Sequence, residues 1–333
     1  MTIELPVLRL GLAGFTAEQQ EAAEPLLGKG AGEATTWEIC DIDVADAWWI
    51  NGARTKTLGN GRIRVTPGVP SGRSLQFELP EVDRPVAFAT PLPPSFDALC
   101  SFDITSHESV KRVLQQFEAW LSPLTAQFCL ASHIVEHQSA LTGGTYELRL
   151  QSELLAVVDM HGETAVRASA APQDFDEAVW QRTPGCAVPD DFVRGTLSQL
   201  MWQFAVRTQR DVLPRHYRTG LLYFRRAPRL PQRLLKDSQL LIMRELMLAP
   251  ATFAELEARC GGPDERLARE LAALYFVGSI TSNPKRAARP VPTAVESNLP
   301  SSGLDSVVPS ELPAPRREIP ADLTAPAPLR PDH

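Results

Sequence analysis

The sequence predicts a multidomain protein of mixed class, α/β at its N-terminus and α+β beyond. Three observations carry this. The chain has 333 residues and is 44% hydrophobic, enough for two or three ordinary cores. A strand–helix–strand pattern opens it. Three closely spaced helical periods close it, followed by a segment with 11 prolines in its last 50 residues. A wholly disordered chain is excluded by the hydrophobic share. No apolar run approaches the ~20 residues of a membrane span, and Met1-Thr2-Ile3-Glu4 lacks a basic leader, so a cytoplasmic protein without a membrane partner is expected. Five cysteines at 40, 100, 129, 186 and 260 show no CxxC spacing, against a disulfide framework or zinc cluster.

The elements follow in order. Val7 to Leu12 is an apolar strand, and Thr16 can cap a helix running to about Leu27. Gly28 to Gly32 reads as a loop. Thr36–Ile39 and Ala47–Ile50 are further strands, with Trp48 and Trp49 on opposite faces. Gly59-Asn60-Gly61 between Arg54–Leu58 and Arg62–Val65 signals a hairpin. Leu75–Leu79 and Val86–Phe88 complete the strands of residues 1–105.

Residues 6–95 resemble in outline a bacterial receiver domain. That resemblance implies an acidic pair after the first strand and a phospho-accepting Asp after the third. Here those places read Leu12-Ala13-Gly14-Phe15 and Trp48-Trp49-Ile50-Asn51, so a receiver-like α/β domain without a phospho-acceptor is expected.

Residues 106–206 begin with two helices. Ser106 caps the first, on which Val110, Val113, Leu114, Phe117, Trp120 and Leu121 keep helical spacing. Ser122-Pro123 starts the second, with Leu124, Phe128, Ala131 and Val135 on its apolar face. A small meander follows: Tyr146–Leu150, Leu154–Val158 and Thr164–Arg167. Phe175–Trp180 is expected as a short helix. A longer one opens at Pro189-Asp190 and carries Val193, Leu197, Leu200, Met201 and Phe204.

Residues 237–283 hold a helix at Leu240–Leu248, a capping box at Thr252-Phe253-Ala254-Glu255, and a third helix from Pro263 with Leu267, Leu271 and Leu274. Gly278 and the strand Ser279–Thr281 follow. This segment resembles the winged-helix superfamily, which implies a DNA-binding or protein-partner surface. Residues 284–333 lack an apolar period and read as a disordered tail.

Charge is unevenly spread. Residues 1–206 hold 14 Lys/Arg against 26 Asp/Glu, whereas 207–236 hold nine basic side chains and one acid, Asp211. Such a segment either meets an anionic partner or is neutralised by the protein's own acidic face. Within it Arg225, Arg226, Arg229 and Arg233 give R-x-x-x-R twice, beside Tyr223 and Phe224. Arginine forks bind phosphate bidentately, pair with the O6/N7 edge of guanine, and stack on rings. The set suits an anionic small molecule, a guanine nucleotide second messenger among them, or a nucleic acid. R-x-x-x-R also resembles the cyclic di-GMP loop of PilZ domains, although the second PilZ element, [DN]-x-S-x-x-G, does not follow. The alternative is an arginine strap that clamps the domains together.

His133-Ile134-Val135-Glu136-His137 resembles the H-x-x-E-H motif of inverted zinc proteases, which implies zinc on His133 and His137 and a water-activating Glu136. Both histidines fall opposite the apolar face of their helix, on its expected solvated side. The family's third ligand, a downstream Glu, has no counterpart between Glu177 and Glu245. Asp41, Asp43 and Asp46 are oxygen donors that could hold a divalent cation or form a hydrated rim. Asp159 opens a turn ending at Gly162.

The expected protein is thus a non-catalytic cytoplasmic regulator without a cofactor, whose connector 207–236 binds an anion. A DNA-binding transcriptional regulator is the alternative, and a metal-dependent hydrolase using H-x-x-E-H a further one.

Overall fold

Alternating apolar residues build the first strand and set the first sheet. The structure, a computed structural model, describes residues 4–27, 35–70, 72–94, 96, 98–185 and 187–288. The Gly28–Gly32 loop and the proline-rich stretch from residue 289 onward, expected as a disordered tail, lie outside the described residues. The first elements are β1 (Val7–Ala13), α1 (Ala17–Leu27), β2 (Thr36–Cys40), β3 (Ala47–Asn51), β4 (Thr55–Gly59), β5 (Arg62–Val65), β6 (Leu75–Glu78), β7 (Val86–Ala89), β8 (Ser101–Phe102) and α2 (His107–Trp120). The Thr16 hydroxyl accepts from the Gln19 amide and caps α1.

A five-stranded parallel sheet has the order β2-β1-β3-β7-β8. That is one of the common doubly wound orders, with its switch point between β1 and β3. Trp48 and Trp49 do face opposite sides. Trp49 is buried against Phe102, ring centroids 4.7 Å apart, in a core closed by α1 and α2. Trp48 stacks edge-on against Phe77 at 5.1 Å, in a second core shared with an antiparallel sheet of order β4-β5-β6. The β4–β5 hairpin turns through Asn60 and Gly61, both at positive φ. An antiparallel sheet therefore covers a face that helices cover in fully wound folds. Thr36 to Cys40 and Ala47 to Asn51 are joined by a single 3₁₀ turn, Ile42–Val44.

The middle of the chain holds α3 (Ser122–Glu136), β9 (Thr145–Leu150), β10 (Glu153–Asp159), β11 (Glu163–Arg167), α4 (Pro172–Asp176), β12 (Val179–Thr183), β13 (Phe192–Thr196) and α5 (Leu197–Arg207). The sheet is antiparallel, order β12-β9-β10-β11-β13. Two expectations are corrected here. Val179–Thr183 is strand, and the helix expected from Phe175 ends at Asp176. Phe192–Thr196 is also strand, and the following helix begins only at Leu197. In the first case Val179–Thr183 pairs with β9, supplying an edge strand. In the second, Thr196 forms a capping box with Gln199: its hydroxyl accepts from the Gln199 amide at 3.2 Å. That cap stops helix propagation N-terminally and leaves Phe192–Thr196 to pair with β11. α3 is buried nearly all round, from Ala126 to Ile134, because it packs on both α5 and the sheet.

The last elements are α6 (Arg215–Thr219), β14 (Leu221–Phe224), α7 (Asp237–Leu248), β15 (Ala251–Thr252), α8 (Phe253–Cys260), α9 (Asp264–Phe276) and β16 (Ile280–Thr281). The capping box at Thr252 forms as the sequence predicts. The three-stranded sheet has the order β15-β14-β16. Its middle strand, β14, comes from the segment expected to be a connector. Residues 221–224 are thus part of the C-terminal core, with Leu222 fully buried. The disordered tail expected from residue 284 is corrected at its start: Pro284–Arg286 form a 3₁₀ turn, and the Ala288 amide donates to the Phe224 carbonyl at 2.9 Å, which holds 284–288 against β14.

Candidate anion site

The basic segment divides into two halves with different surroundings. In its first half Arg207, Arg210 and Arg218 are paired, while Arg215 is exposed and enters no ion pair among the described residues. Arg207 ends α5 and donates two hydrogen bonds to Asp46, at 2.6 and 2.7 Å. Asp46 also accepts from the Arg9 amide, and the Arg9 guanidinium donates to the Val206 carbonyl. Burial and the Arg207 charge hold the Arg9 guanidinium below its ordinary range, against the opposing pull of Asp46. Arg210 binds Glu4 and Glu136 at 2.6 and 3.0 Å and donates to the Ser132 hydroxyl. Arg218 bridges Asp211 and Asp264. This half is the arginine strap, and it ties α5 and the segment after it to β1 and α3.

The second half is different. Arg225, Arg226 and Arg229 are exposed, and no ion pair among the described residues includes them. The amides of Arg225 and Arg226 both point at the Ser279 carbonyl, which sets their side chains beside the turn after α9. Gly278, at φ +67, lies at that turn. A β-carbon built on it would sit 3.2 Å from Arg226 Nη2 and 3.4 Å from Arg225 Nη1. The two guanidinium groups therefore converge on one point. Arg226 Nη2 lies 3.5 Å from the Val277 carbonyl, the C-cap of α9. The negative end of the helix dipole partly offsets their mutual repulsion, as far as a single carbonyl at this distance can. A bidentate anion would offset it further.

The other predicted members are placed apart. Tyr223, with Phe224, lines an apolar cleft formed with Leu246–Pro250 and Pro284, whose lining includes neither arginine. Arg229 is exposed, and no contact among the described residues ties it to the pair. Of Arg233, the backbone lies in the 3₁₀ turn Gln232–Leu234. Sequence reasoning missed Gly278 and the carbonyl of Val277. The signal was the Val277-Gly278 stop after an apolar helix, but only the sheet pairing brings it to Arg225.

The H-x-x-E-H constellation does not assemble. His133, expected on a solvated face, is 5% exposed. It stacks on His137 at 4.3 Å and packs on Trp180 at 5.5 Å. Burial and the neighbouring His137 push its pKa down to about 4. The correction has a simple cause: β12 lies where solvent was expected, and its Trp180 covers that side of α3. Glu136 is engaged by Arg210, and His137 Nδ1 lies 2.9 Å from the His133 carbonyl. Asp46 belongs to the Arg207 pair, away from any cation role. No group of three or more His, Cys, Asp or Glu suited to a metal occurs among the described residues. Asp159 forms the expected turn, accepting from the His161 amide at 3.0 Å.

At the switch point of the parallel sheet, Asn51 ends β3. Its amide donates to Gln19 and its oxygen accepts from the Ala53 amide. The crevice there is filled. A β-carbon on Gly14 would lie 2.8 Å from Val65 Cγ1, and one on Gly68 would collide with the Phe15 carbonyl. The chain leaving β5 thus occupies the space in which doubly wound folds bind ligands. No helix among the described residues is long and apolar enough to cross a membrane. No protein-family model matches the chain, and neither a curated protein nor a solved structure shows significant similarity to it.

Proposed function

We propose that this chain is a non-catalytic regulatory protein that binds an anionic ligand, a guanine nucleotide for preference, between Arg225 and Arg226. One observation carries the reading: two guanidinium groups converge over Gly278 with no carboxylate partner among the described residues, while Arg207, Arg210 and Arg218 of the same segment are spent on carboxylates. Arginine forks left without a carboxylate partner among the described residues suit a phosphate or the guanine edge.

The surrounding architecture is consistent with regulation. The parallel order of the first sheet supports a receiver-like domain, and Asn51 at the end of β3 supports one that does not take phosphate. Helices α7 to α9 with their three strands support a winged-helix-like end. In that reading β14 takes the middle strand position although it precedes the helices. The DNA-binding alternative is disfavoured by α9. Beyond Arg269 every residue of that helix is buried or half-buried, because α9 packs along α5, with Phe276 and Phe204 ring centroids 6.3 Å apart. Only the N-terminal turns of α9 are left to meet a groove, and they expose the carboxylates of Asp264 and Glu265, which phosphates repel.

Isothermal titration of the full chain with cyclic di-GMP, GTP and a short duplex tests the reading, alongside thermal melts. Arg226→Glu should weaken nucleotide binding by at least about tenfold, since it replaces a charge-assisted pair by repulsion. Its melting temperature should stay near that of the wild type. Absence of binding by the wild type, or a large melting loss in Arg226→Glu, would overturn the proposal.

A further inference from the structure

The exposed apolar side chains of α7 are grouped on one face. Leu240, Met247 and Leu248 are 39%, 43% and 58% exposed. They stand at i, i+7 and i+8, so they share a stripe, and Arg244 at i+4 lies in the same stripe. Buried Ile242, Met243 and Leu246 hold the opposite face in the core. The stripe runs into the apolar cleft of about 370 Å³ where Leu246, Met247 and Leu248 meet Tyr223, Phe224 and Pro284. Isolated exposed apolar residues need no explanation, but a grouped set continuous with a cleft does.

The exposed charge at the cleft end of this surface is cationic, while Asp237 stands at the far end of the same stripe. Arg244 is 71% exposed on its side chain and pairs at 3.8 Å with the less exposed Glu245, a carboxylate that Arg259 also reaches at 3.9 Å. Lys285 and Arg286 follow the cleft-lining Pro284, are exposed, and enter no ion pair among the described residues. An apolar groove with a cationic border is complementary to an amphipathic segment whose polar face is acidic. A basic helix would be repelled, and an uncharged one would leave the border cations unanswered.

We infer that the α7 stripe and the cleft beside Tyr223 and Phe224 form a docking surface for an acidic amphipathic helix of a partner protein. The partner's apolar side chains enter the cleft over Met247 and Leu248, and its carboxylates meet Arg244, Lys285 and Arg286. This surface uses neither Arg225 nor Arg226, so it stands apart from the nucleotide reading.

The test uses the full chain and two labelled synthetic helices of about four turns, with leucines on one face. One carries Glu on its polar face and its twin carries Lys. Fluorescence anisotropy should show the Glu helix binding at least about tenfold more tightly than the Lys twin, with the preference shrinking as salt rises. Leu248→Asp should weaken the Glu helix about tenfold or more. The Lys285→Glu, Arg286→Glu double variant should remove the preference between the twins. All these positions are exposed, and unchanged circular dichroism and unchanged nucleotide titration in each variant would exclude global effects. Equal binding of the twins, or none by either, overturns the proposal. So does sedimentation that reveals Leu248-dependent self-association, because a second copy would then be the occupant.

Discussion

Asp46 and Arg207 lie 161 residues apart and form a two-bonded ion pair, each side chain 8% exposed. The pair fastens the end of α5 to the parallel sheet, with Arg9 crossing in the other direction to the Val206 carbonyl. Removing one charge of a buried pair leaves the other without compensation, and here it would leave Arg9 and Arg207 facing each other. Asp46→Ala should therefore cost about 3–5 kcal/mol in urea unfolding. The Asp46→Leu, Arg207→Leu double variant should recover much of that loss, because it also removes the Arg207 charge that would otherwise face Arg9. A loss in Asp46→Ala no larger than that of a surface substitution would show that the pair is not a clamp.

The burial of His133 makes stability depend on pH. Its folded pKa, about 4, lies below the ordinary histidine value of about 6.5. The unfolded chain takes up a proton first as pH falls, so the contribution is full above about pH 6.5 and declines toward pH 4. The wild type should lose stability across that window at up to about 1.4 kcal/mol per pH unit from this residue. His133→Phe, which cannot titrate, should flatten the dependence, measured as urea midpoints from pH 7 to pH 4. An identical slope in the variant would assign the acid sensitivity elsewhere.

The filled switch point predicts the absence of phosphorylation. Acetyl phosphate should add no phosphoryl group, about 80 Da by intact mass, to the wild type. Asn51→Asp restores a carboxylate at the end of β3 but not space around it, since Val65 and the Gly68 backbone still close the crevice. That variant should also remain unmodified. A stable adduct on residue 51 would mean that the loop after β5 opens.

Gly278 sits at positive φ and against both guanidinium groups, and one substitution probes both features. Its φ of +67 costs an L-residue about 1–2 kcal/mol, and a side chain there would push against both guanidinium groups. Gly278→Ala should lower stability by roughly that amount. It should also weaken nucleotide binding more than Asn60→Ala, which changes another positive-φ position far from the arginines in sequence. Equal nucleotide affinity in the two variants would separate Gly278 from the site.

Much of the fold was legible locally. The hairpin at Asn60-Gly61, the capping box at Thr252 and the opposite orientations of Trp48 and Trp49 are short-range consequences of turn chemistry and the two-residue strand period. Val179–Thr183, Phe192–Thr196 and Leu221–Phe224 were not legible as strands. Their conformation depends on partners at residues 145–149, 163–167 and 251–281, which no local window contains.

The same division holds for the candidate site. Charge arithmetic alone located an arginine-rich segment in an acidic chain and posed the choice between a ligand surface and a strap. Tertiary structure paired three of its arginines with carboxylates and left Arg225 and Arg226 outside any ion pair among the described residues. Arg207, Arg210 and Arg218 found carboxylates as distant in sequence as Glu4 and Asp46, whereas Arg225 and Arg226 follow a central strand to a glycine turn and enter no ion pair among the described residues. The physical reason is range. Residue type and spacing determine what a side chain can bind, but a long-range ion pair forms only where packing brings its partner within about 4 Å. That distance is a property of the assembled core, not of any stretch of chain.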